Sequence, residues 1–321
     1  MTTRLYGLWF ALAALAAAPL AHAQDAQRTV LRAGHLLDVD SGRLLADQAV
    51  TIEHGRVVSV APWTPAAAGT HVLDWSAWTV VPGLMDMHTH LADEGQMADP
   101  GAPLKSNPAR DAFIGAKNAR DTVRAGFTTV RDVGAYRGFA DVALRDAINA
   151  GYVPGPRMFV AGAYITVPGG GGEITGLPPG TVVPDVFRRG VSRGVDDVRR
   201  HVDIVLDGGA DLIKVIATGA VLTAGTEPGE SEYTEAEIHA AVAEAAKRGA
   251  FVAAHAHGAE GIKRAIRAGV RSVEHASLID DEGIALAKQH GTWLVMDIYD
   301  GDYIDSVGRA AGWSPEILRK S

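Results

Sequence analysis

The chain contains no cysteine. Disulfides and thiolate ligands are therefore excluded, and a transition-metal site has to draw on histidine, carboxylate or lysine-derived donors. Nor is there a basic run long enough for a nucleic-acid tract, and a net charge of −8 disfavours polyanionic partners. The acidic residues are scattered, as on an ordinary solvated surface. Beyond the N-terminal stretch, no segment is long and apolar enough to span a bilayer. A G-x-G-x-x-G turn is also missing, which argues against dinucleotide binding. The segment Pro168-Gly169-Gly170-Gly171-Gly172 lacks the Lys-Ser/Thr of a phosphate loop. It reads as a flexible active-site loop or as a plain linker.

What is present is a chain of 321 residues, 47% hydrophobic, enough for one large domain and a small accessory unit. Residues 1–23 have the form of an export signal. Arg4 supplies a positive end, an apolar stretch runs from Leu8 to Leu20, and Ala21-His22-Ala23 fits a small-x-small cleavage site before Gln24. The alternative, an uncleaved anchor, meets the objection that this run is shorter than the ~20 residues of a span. The expectation is an exported, soluble protein, periplasmic in a Gram-negative source, with no stable membrane span after cleavage.

Residues 24–78 carry short alternating runs. Thr29-Val30-Leu31-Arg32-Ala33-Gly34 and Ala49-Val50-Thr51-Ile52-Glu53 predict strands, and Arg56-Val57-Val58-Ser59-Val60 pairs back through the turn at His54-Gly55. Pro62 and Pro65 then interrupt the pattern. The reading is a small β unit of sandwich-like type. From residue 79 onward short apolar strands alternate with amphipathic helices, each helix ending in glycine just before the next strand: Gly126, Gly209, Gly249, Gly269, Gly291. Thr234 and Glu237 form a capping box ahead of Ile238, Ala241, Val242, Ala245 and Ala246 on one face. Strands are predicted at 80–88, 127–132, 157–163, 211–217, 250–255, 271–275 and 292–297. Several are apolar on both faces, as in a covered parallel sheet. The best candidate is an α/β fold of the (β/α)8 TIM-barrel type over 79–321, with a doubly wound open sheet as the competitor.

The buried polar residues gather at the strand ends. His88 and His90, one residue apart, share a face of an extended strand. Lys214 lies in a strand with no other central charge, and His255 and His275 close the fifth and sixth strands. In a barrel these ends meet on the catalytic face. Any one of them could be a hydrogen-bonded core histidine or a snorkelling lysine, a reading that strains to cover all five. A buried lysine is costly as a cation. Carboxylation by CO2 turns it into an anionic carbamate that can bridge two cations. Four histidines and that carbamate could then hold two divalent metal ions.

Five stretches carry a resemblance: Gly83-Leu84-Met85-Asp86-Met87-His88-Thr89-His90, Gly126-Phe127-Thr128-Thr129-Val130-Arg131-Asp132-Val133-Gly134, Asp211-Leu212-Ile213-Lys214, Ala254-His255-Ala256-His257-Gly258 and Val273-Glu274-His275-Ala276. In this order they resemble the amidohydrolase superfamily, in its imidazolonepropionase-like and Xaa-Pro dipeptidase (prolidase-type) branch. The resemblance implies a binuclear centre, usually zinc (Zn2+), with His88, His90, Lys214 as its carbamate, His255 and His275 as ligands. It makes His257 a candidate substrate contact, with Tyr164 and Arg131 as weaker ones. The substrate it implies is a small molecule or dipeptide of Xaa-Pro type, or another N-acyl amino acid, with hydrolysis of the amide bond. A cyclic amide or an ester is the alternative within enzymes. Outside them stand a non-catalytic metal-binding remnant and a periplasmic solute-binding protein. Homo-oligomerisation is left open.

The family also uses an aspartate ending the eighth strand, and no catalytic residue of that kind is found. At roughly 30 residues per barrel unit, the eighth strand is expected after residue 321. Asp297, Asp300 and Asp302 are assigned to the seventh strand or its loop. The expectation is a C-terminally truncated chain with an incomplete small β unit and, on its own, little or no activity.

Overall fold

The structure, a computed structural model, describes residues 28–93 and 99–321. The expected signal at 1–23 lies outside the described residues. The chain divides into two compact units at Pro82–Gly83.

The first unit is one four-stranded sheet in the order β3-β2-β1-β4, made of β1 (Thr29–Asp38), β2 (Arg43–Glu53), β3 (Arg56–Pro62) and β4 (His71–Val80). The β2–β3 hairpin turns through His54 and Gly55, both with positive φ, the twist that suits a two-residue hairpin. Alternation then buries Leu31, Ala33 and Val50 on one face, with Leu36, Ile52, Leu73 and Val80 against them. A single sheet thus stands where a sandwich-like unit was expected. The sequence reading missed β4, which pairs parallel to β1, and it assigned Val80 to the first barrel strand. Val80 instead ends β4, and that barrel strand begins only at Leu84. The break falls at Pro82, which has no N–H to give a ladder, and at Gly83, where a Cβ would lie 2.0 Å from Thr128 Oγ1.

The second unit alternates strand and helix. In chain order it contains β5 (Leu84–Thr89), α1 (Ala102–Lys105), α2 (Pro108–Arg124), β6 (Phe127–Asp132), α3 (Ala140–Asn149), β7 (Arg157–Val160) and β8 (Tyr164–Ile165). There follow α4 (Val195–Asp207), β9 (Ile213–Ile216), α5 (Glu235–Lys247), β10 (Val252–Gly258), α6 (Ala259–Arg267), β11 (Ser272–Leu278), α7 (Asp281–His290), β12 (Trp293–Val295), α8 (Asp300–Ala311) and α9 (Pro315–Lys320). Local chemistry explains the helix ends. The capping box of α5 forms in both directions between Thr234 and Glu237, and all five junction glycines take positive φ.

Every neighbouring pair of strands is parallel, and the neighbours are sequential: β5-β6-β7 in one sheet, β8 through β12 in the other. Sequential order without a reversal is that of a barrel wall; a doubly wound sheet reverses direction at a switch point. The third barrel strand, expected at 157–163, bends at Gly162 (φ +72°) into two pieces. β7 pairs with β6, and β8 pairs with β9. The wall stays joined across the bend, because Asp211 N donates to Val160 O at 2.8 Å. The fold is therefore α/β of the TIM-barrel type with seven strand positions among the described residues. β5 and β12 lie at the ends of the wall, and each leaves large apolar side chains exposed: Leu84 and Met85 on one, Trp293 on the other.

The core lies between the wall and its helices. Val202, Val205, Ile238, Ala241, Ile262 and Ile266 on α4, α5 and α6 cover Ile213, Val215, Val252 and Ala254. Behind β8 the packing is backbone to backbone: a Cβ at Gly190 would lie 1.9 Å from Tyr164 O. Gly190→Ala is expected to cost about 1–3 kcal/mol through overpacking, read by urea denaturation. An unchanged midpoint would mean that this approach is not as close as described.

Candidate metal centre

Parallel strands deliver their C-terminal ends to one face, and there the side chains singled out by the sequence meet. His88 (β5), His90 just after it, Lys214 (β9), His255 and His257 (β10) and His275 (β11) all line one cavity of about 440 Å³. Tyr164, on β8, lines it as well. His275 is central: its ring centroid lies 4.7 Å from that of His88, 4.5 Å from His255 and 4.6 Å from His257. The backbone at His275 and Ala276 is left-handed, with φ of +68° and +52°. Such strain in non-glycine residues persists only where the surroundings enforce it.

Burial sets the charge states. It pulls the imidazoles of His90 and His257 down to about 4, with Lys214 as the next cause. His88, His255 and His275 are lowered well below the usual value for the same first reason. At neutral pH all five rings are neutral, the form that binds a cation. Lys214 is 1% exposed. Burial lowers its ammonium to about 8, against an opposing pull from Glu274. An amine that loses its proton so readily is the form that can take up CO2.

Hydrogen bonds select which nitrogen keeps a lone pair. A carbonyl only accepts, so His90 Nδ1 donates to Gly134 O (2.7 Å) and His255 Nε2 donates to Gly219 O (3.2 Å). The other nitrogen of each ring is left as the acceptor. His88 Nδ1 lies 3.2 Å from Glu274 Oε2, and His257 Nδ1 lies 2.9 Å from Ser277 Oγ. A partner behind each ring is what fixes the orientation of a metal-binding histidine.

The glycine-ended stretch from Gly126 to Gly134 does its work here. Arg131 does not line the cavity; it lies beneath the histidines. Its Nε donates to Met87 O (2.7 Å), its Nη1 to Ser272 Oγ (2.8 Å) and its Nη2 to both oxygens of Glu274 (2.7 Å each). Asp132 Oδ2 accepts from Leu91 N (2.6 Å), which holds the chain as it leaves His90. Gly134 O accepts from His90 and also from Tyr164 Oη (3.1 Å). A Cβ on Gly134 would lie 2.7 Å from the Tyr164 ring.

Two residues beside the histidines escaped the sequence reading. Asp297, set aside with the seventh-strand loop, follows β12 directly and lines the cavity. Its Oδ2 lies 2.5 Å from His275 Nδ1 and 4.0 Å from His88 Nδ1. Glu274, fully buried, sits behind His88. The strand-end rule applied to Leu294-Val295-Met296-Asp297, and a carboxylate inside an apolar strand, were the signals available. Among the described residues, two groups have ligand atoms within 4.8 Å of one another: His255, His257 and His275, and His88, His275 and Asp297. Compared with the expected histidines they add His257, with Asp297 beside them, and leave out His90. Both groups are drawn from histidines and acidic residues and do not bear on Lys214, whose ammonium form is no ligand. Neutral imidazoles with fixed tautomers and one carboxylate fit a divalent transition metal such as zinc.

Two measurements follow. In the metal-free chain, His90 and His257 are expected to titrate near pH 4 in imidazole NMR; midpoints near 6.5 would overturn their burial. Glu274→Gln leaves the Arg131 guanidinium facing a neutral amide, with an expected cost of about 3–5 kcal/mol in urea melts. Replacing both partners by apolar residues is expected to cost less than the sum of the single changes.

Residues 79–315, which take in every strand of the parallel wall, match the Amidohydrolase family. Ochratoxinase of Aspergillus niger is 31% identical over 296 residues, or 86% of this chain and 60% of the relative. The chain thus spans about 60% of the length of that curated relative. A Xaa-Pro dipeptidase solved with methionine in its active site superposes with a TM-score of 0.82 at 34% identity, over 91% of this chain and 72% of that one. A prolidase complexed with N-methylphosphonate-L-proline gives a TM-score of 0.83 at 33% identity, over 92% and 72%. The parallel wall, the histidines at its strand ends and these matches agree, and the chain belongs to the amidohydrolase family.

Proposed function

We propose that this protein is a metal-dependent hydrolase of amide bonds, acting on a dipeptide of Xaa-Pro type or another N-acyl amino acid. The observation that carries the reading is the convergence of five neutral imidazoles and a buried lysine of lowered pKa on one cavity. The chain's similarity to a prolidase, a Xaa-Pro dipeptidase and an ochratoxinase supports the substrate class. Export directed by residues 1–23 is part of the proposal; among the described residues no helix is long and apolar enough to cross a membrane.

In this reading His88, His90, His255, His275 and the Lys214 carbamate hold two divalent ions, zinc in the first instance, and Asp297 adds an oxygen donor. Bound there, such ions supply Lewis acidity toward the scissile carbonyl and lower the pKa of water. The protein's own groups do the positioning. Glu274 and Gly134 hold the rings of His88 and His90. Ser277 orients His257, which we assign to contact the substrate carbonyl. Ile216, Val221, Leu222 and Leu278 give the cavity an apolar lining.

The test is turnover by the full chain, loaded with zinc, on a panel of Xaa-Pro dipeptides and N-acyl amino acids. Turnover is expected to be weak, as the sequence reading implies for this chain on its own, to vanish on chelation and to return with zinc. Lys214→Ala is expected to lower bound metal and reduce turnover by about a hundredfold or more. Two bound metals with no hydrolysis of any amide in the panel would refute the reading in favour of a non-catalytic metal-binding protein. Turnover confined to cyclic amides or esters would move the substrate class.

A further inference from the structure

The sequence leaves the run Pro168-Gly169-Gly170-Gly171-Gly172 as a flexible loop or a linker. In the structure Gly170, Gly171 and Gly172 are buried, and Gly171 and Gly172 line the cavity. There is no room for side chains on this strap. A Cβ would lie 2.5 Å from Glu232 Oε2 at Gly170, 3.0 Å from Ala220 Cβ at Gly171 and 2.8 Å from Ile216 Cγ1 at Gly172. Ile216 and Ala220 line the cavity as well, so the strap is packed directly against its wall.

The main chain of the strap is held by side chains on both sides. Gly169 N donates to Glu173 Oε2 at 2.6 Å, and Gly172 N to Thr166 Oγ1 at 3.1 Å. Gly171 is gripped at both ends. Its N–H donates to the two oxygens of Glu232, at 2.9 and 3.0 Å, and its carbonyl accepts from Thr223 Oγ1 at 2.6 Å. Among these holders Glu232 is distinctive. The threonines do not change charge, and Glu173 is paired with Arg188. Burial pushes the Glu232 carboxyl up to about 7, against the opposing pulls of the Gly171 N–H and then of Arg193. Arg193 also faces Glu237. Burial raises the neighbouring Tyr233 phenol above its usual value, so it stays neutral here. A hydrogen bond to an ionised carboxylate is about twice as strong as one to a neutral acceptor. The grip on Gly171 is therefore firm above neutral pH and weaker below it. Glu232 does not itself line the cavity; it acts through Gly171.

We propose that Glu232 is a positioning residue for the cavity: ionised, it holds Gly171 in place as part of the wall against which substrate binds, and on protonation it loosens that wall and weakens binding. The proposal rests on the hydrolase reading for the ligand of the cavity, and it adds control by a carboxyl that is outside the metal centre.

The test compares the zinc-loaded full chain with E232Q, whose side-chain amide keeps a neutral acceptor at every pH. The comparison is needed because Asp93, Asp141 and Lys214 titrate in or near the same range. By NMR, the carboxyl carbon of Glu232 and the amide protons of Gly171, Gly172 and Ala220 are expected to share a midpoint near 7 in the wild-type chain. In E232Q the three amides should lose that midpoint. The binding probe is N-benzenesulfonyl-L-proline, whose sulfonamide replaces the scissile amide, read by titration calorimetry. Between pH 8 and pH 6 its affinity for the wild-type chain should fall about three- to tenfold more than its affinity for E232Q. A probe that does not bind at pH 8, a Gly171 amide that does not follow Glu232, or the same pH dependence of affinity in both chains overturns the proposal. If Glu232 serves only the fold, E232Q lowers the melting temperature and leaves the pH profile of binding as in the wild type. Where E232Q fails to fold, the wild-type titration decides, since Gly172 and Ala220 amides at rest while Glu232 titrates would show that the wall does not respond. Hydrolysis of alanyl-proline is followed separately. Binding that depends on Glu232 without hydrolysis retains the positioning role and sinks the hydrolase reading, and hydrolysis with one pH profile in both chains does the reverse.

Discussion

The guanidinium of Arg131 and the carboxylate of Glu274 form the contact on which the rest of the site depends. They join β6 to β11 through the interior of the wall and reach β5 as well, since Arg131 also holds Met87 O and Glu274 meets His88. Two buried charges are expensive to desolvate, and an ion pair offsets that cost only when its remaining donors and acceptors are satisfied. Here Ser272 fills both roles, accepting from Arg131 and donating to Glu274 (2.6 Å). Three strands that are distant in sequence are thereby fixed in the register that brings the histidines together.

Burial acts on this site with two opposite signs. The histidines have folded pKa values below 6.5, so as pH falls from 6.5 toward about 4 the unfolded chain takes up protons first, and His90 and His257 withdraw stability. Asp93, Asp141 and Glu232 are the reverse case: burial raises each carboxyl to about 7, from 3.8, 3.8 and 4.5. Their contribution is complete below those unfolded values and is lost as pH rises toward 7. Over the window from 4.5 to 6.5 the two sets oppose each other. Within that window the folded rings of His90 and His257 stay neutral, so the opposition concerns the stability of the fold and not the charge of the cavity.

Much of this was legible in the chain. Gly126, Gly209, Gly249, Gly269 and Gly291 marked where helices stop, because few other residues take positive φ there. The alternation of elements identified a parallel wall, and His88, His90, Lys214, His255 and His275 stood out as polar groups in apolar strands. Three features resisted. β4 follows two prolines and alternates weakly, so its pairing with β1 depends on a contact some forty residues away. The third barrel strand divides at Gly162 because β8 pairs forward with β9, a tertiary preference that no local pattern encodes. Asp297 was discounted by counting strands, although its distance from the site is set by where β12 ends.

Gly134 shows how little latitude the centre has. Its carbonyl oxygen has two lone pairs, and both are engaged, one by His90 and one by Tyr164. The ring of His90, just past β5, and that of Tyr164 on β8 thus take their bearings from one backbone atom. With no Cβ in the way, the Tyr164 ring can close over that atom, and no acceptor capacity is left for a water to loosen either bond. Ring alignment is therefore inherited from the main chain, and it should be insensitive to drift in the surrounding side chains. The same arrangement makes residue 134 a single point of failure, since any side chain added there displaces Tyr164 and turns His90 in one step.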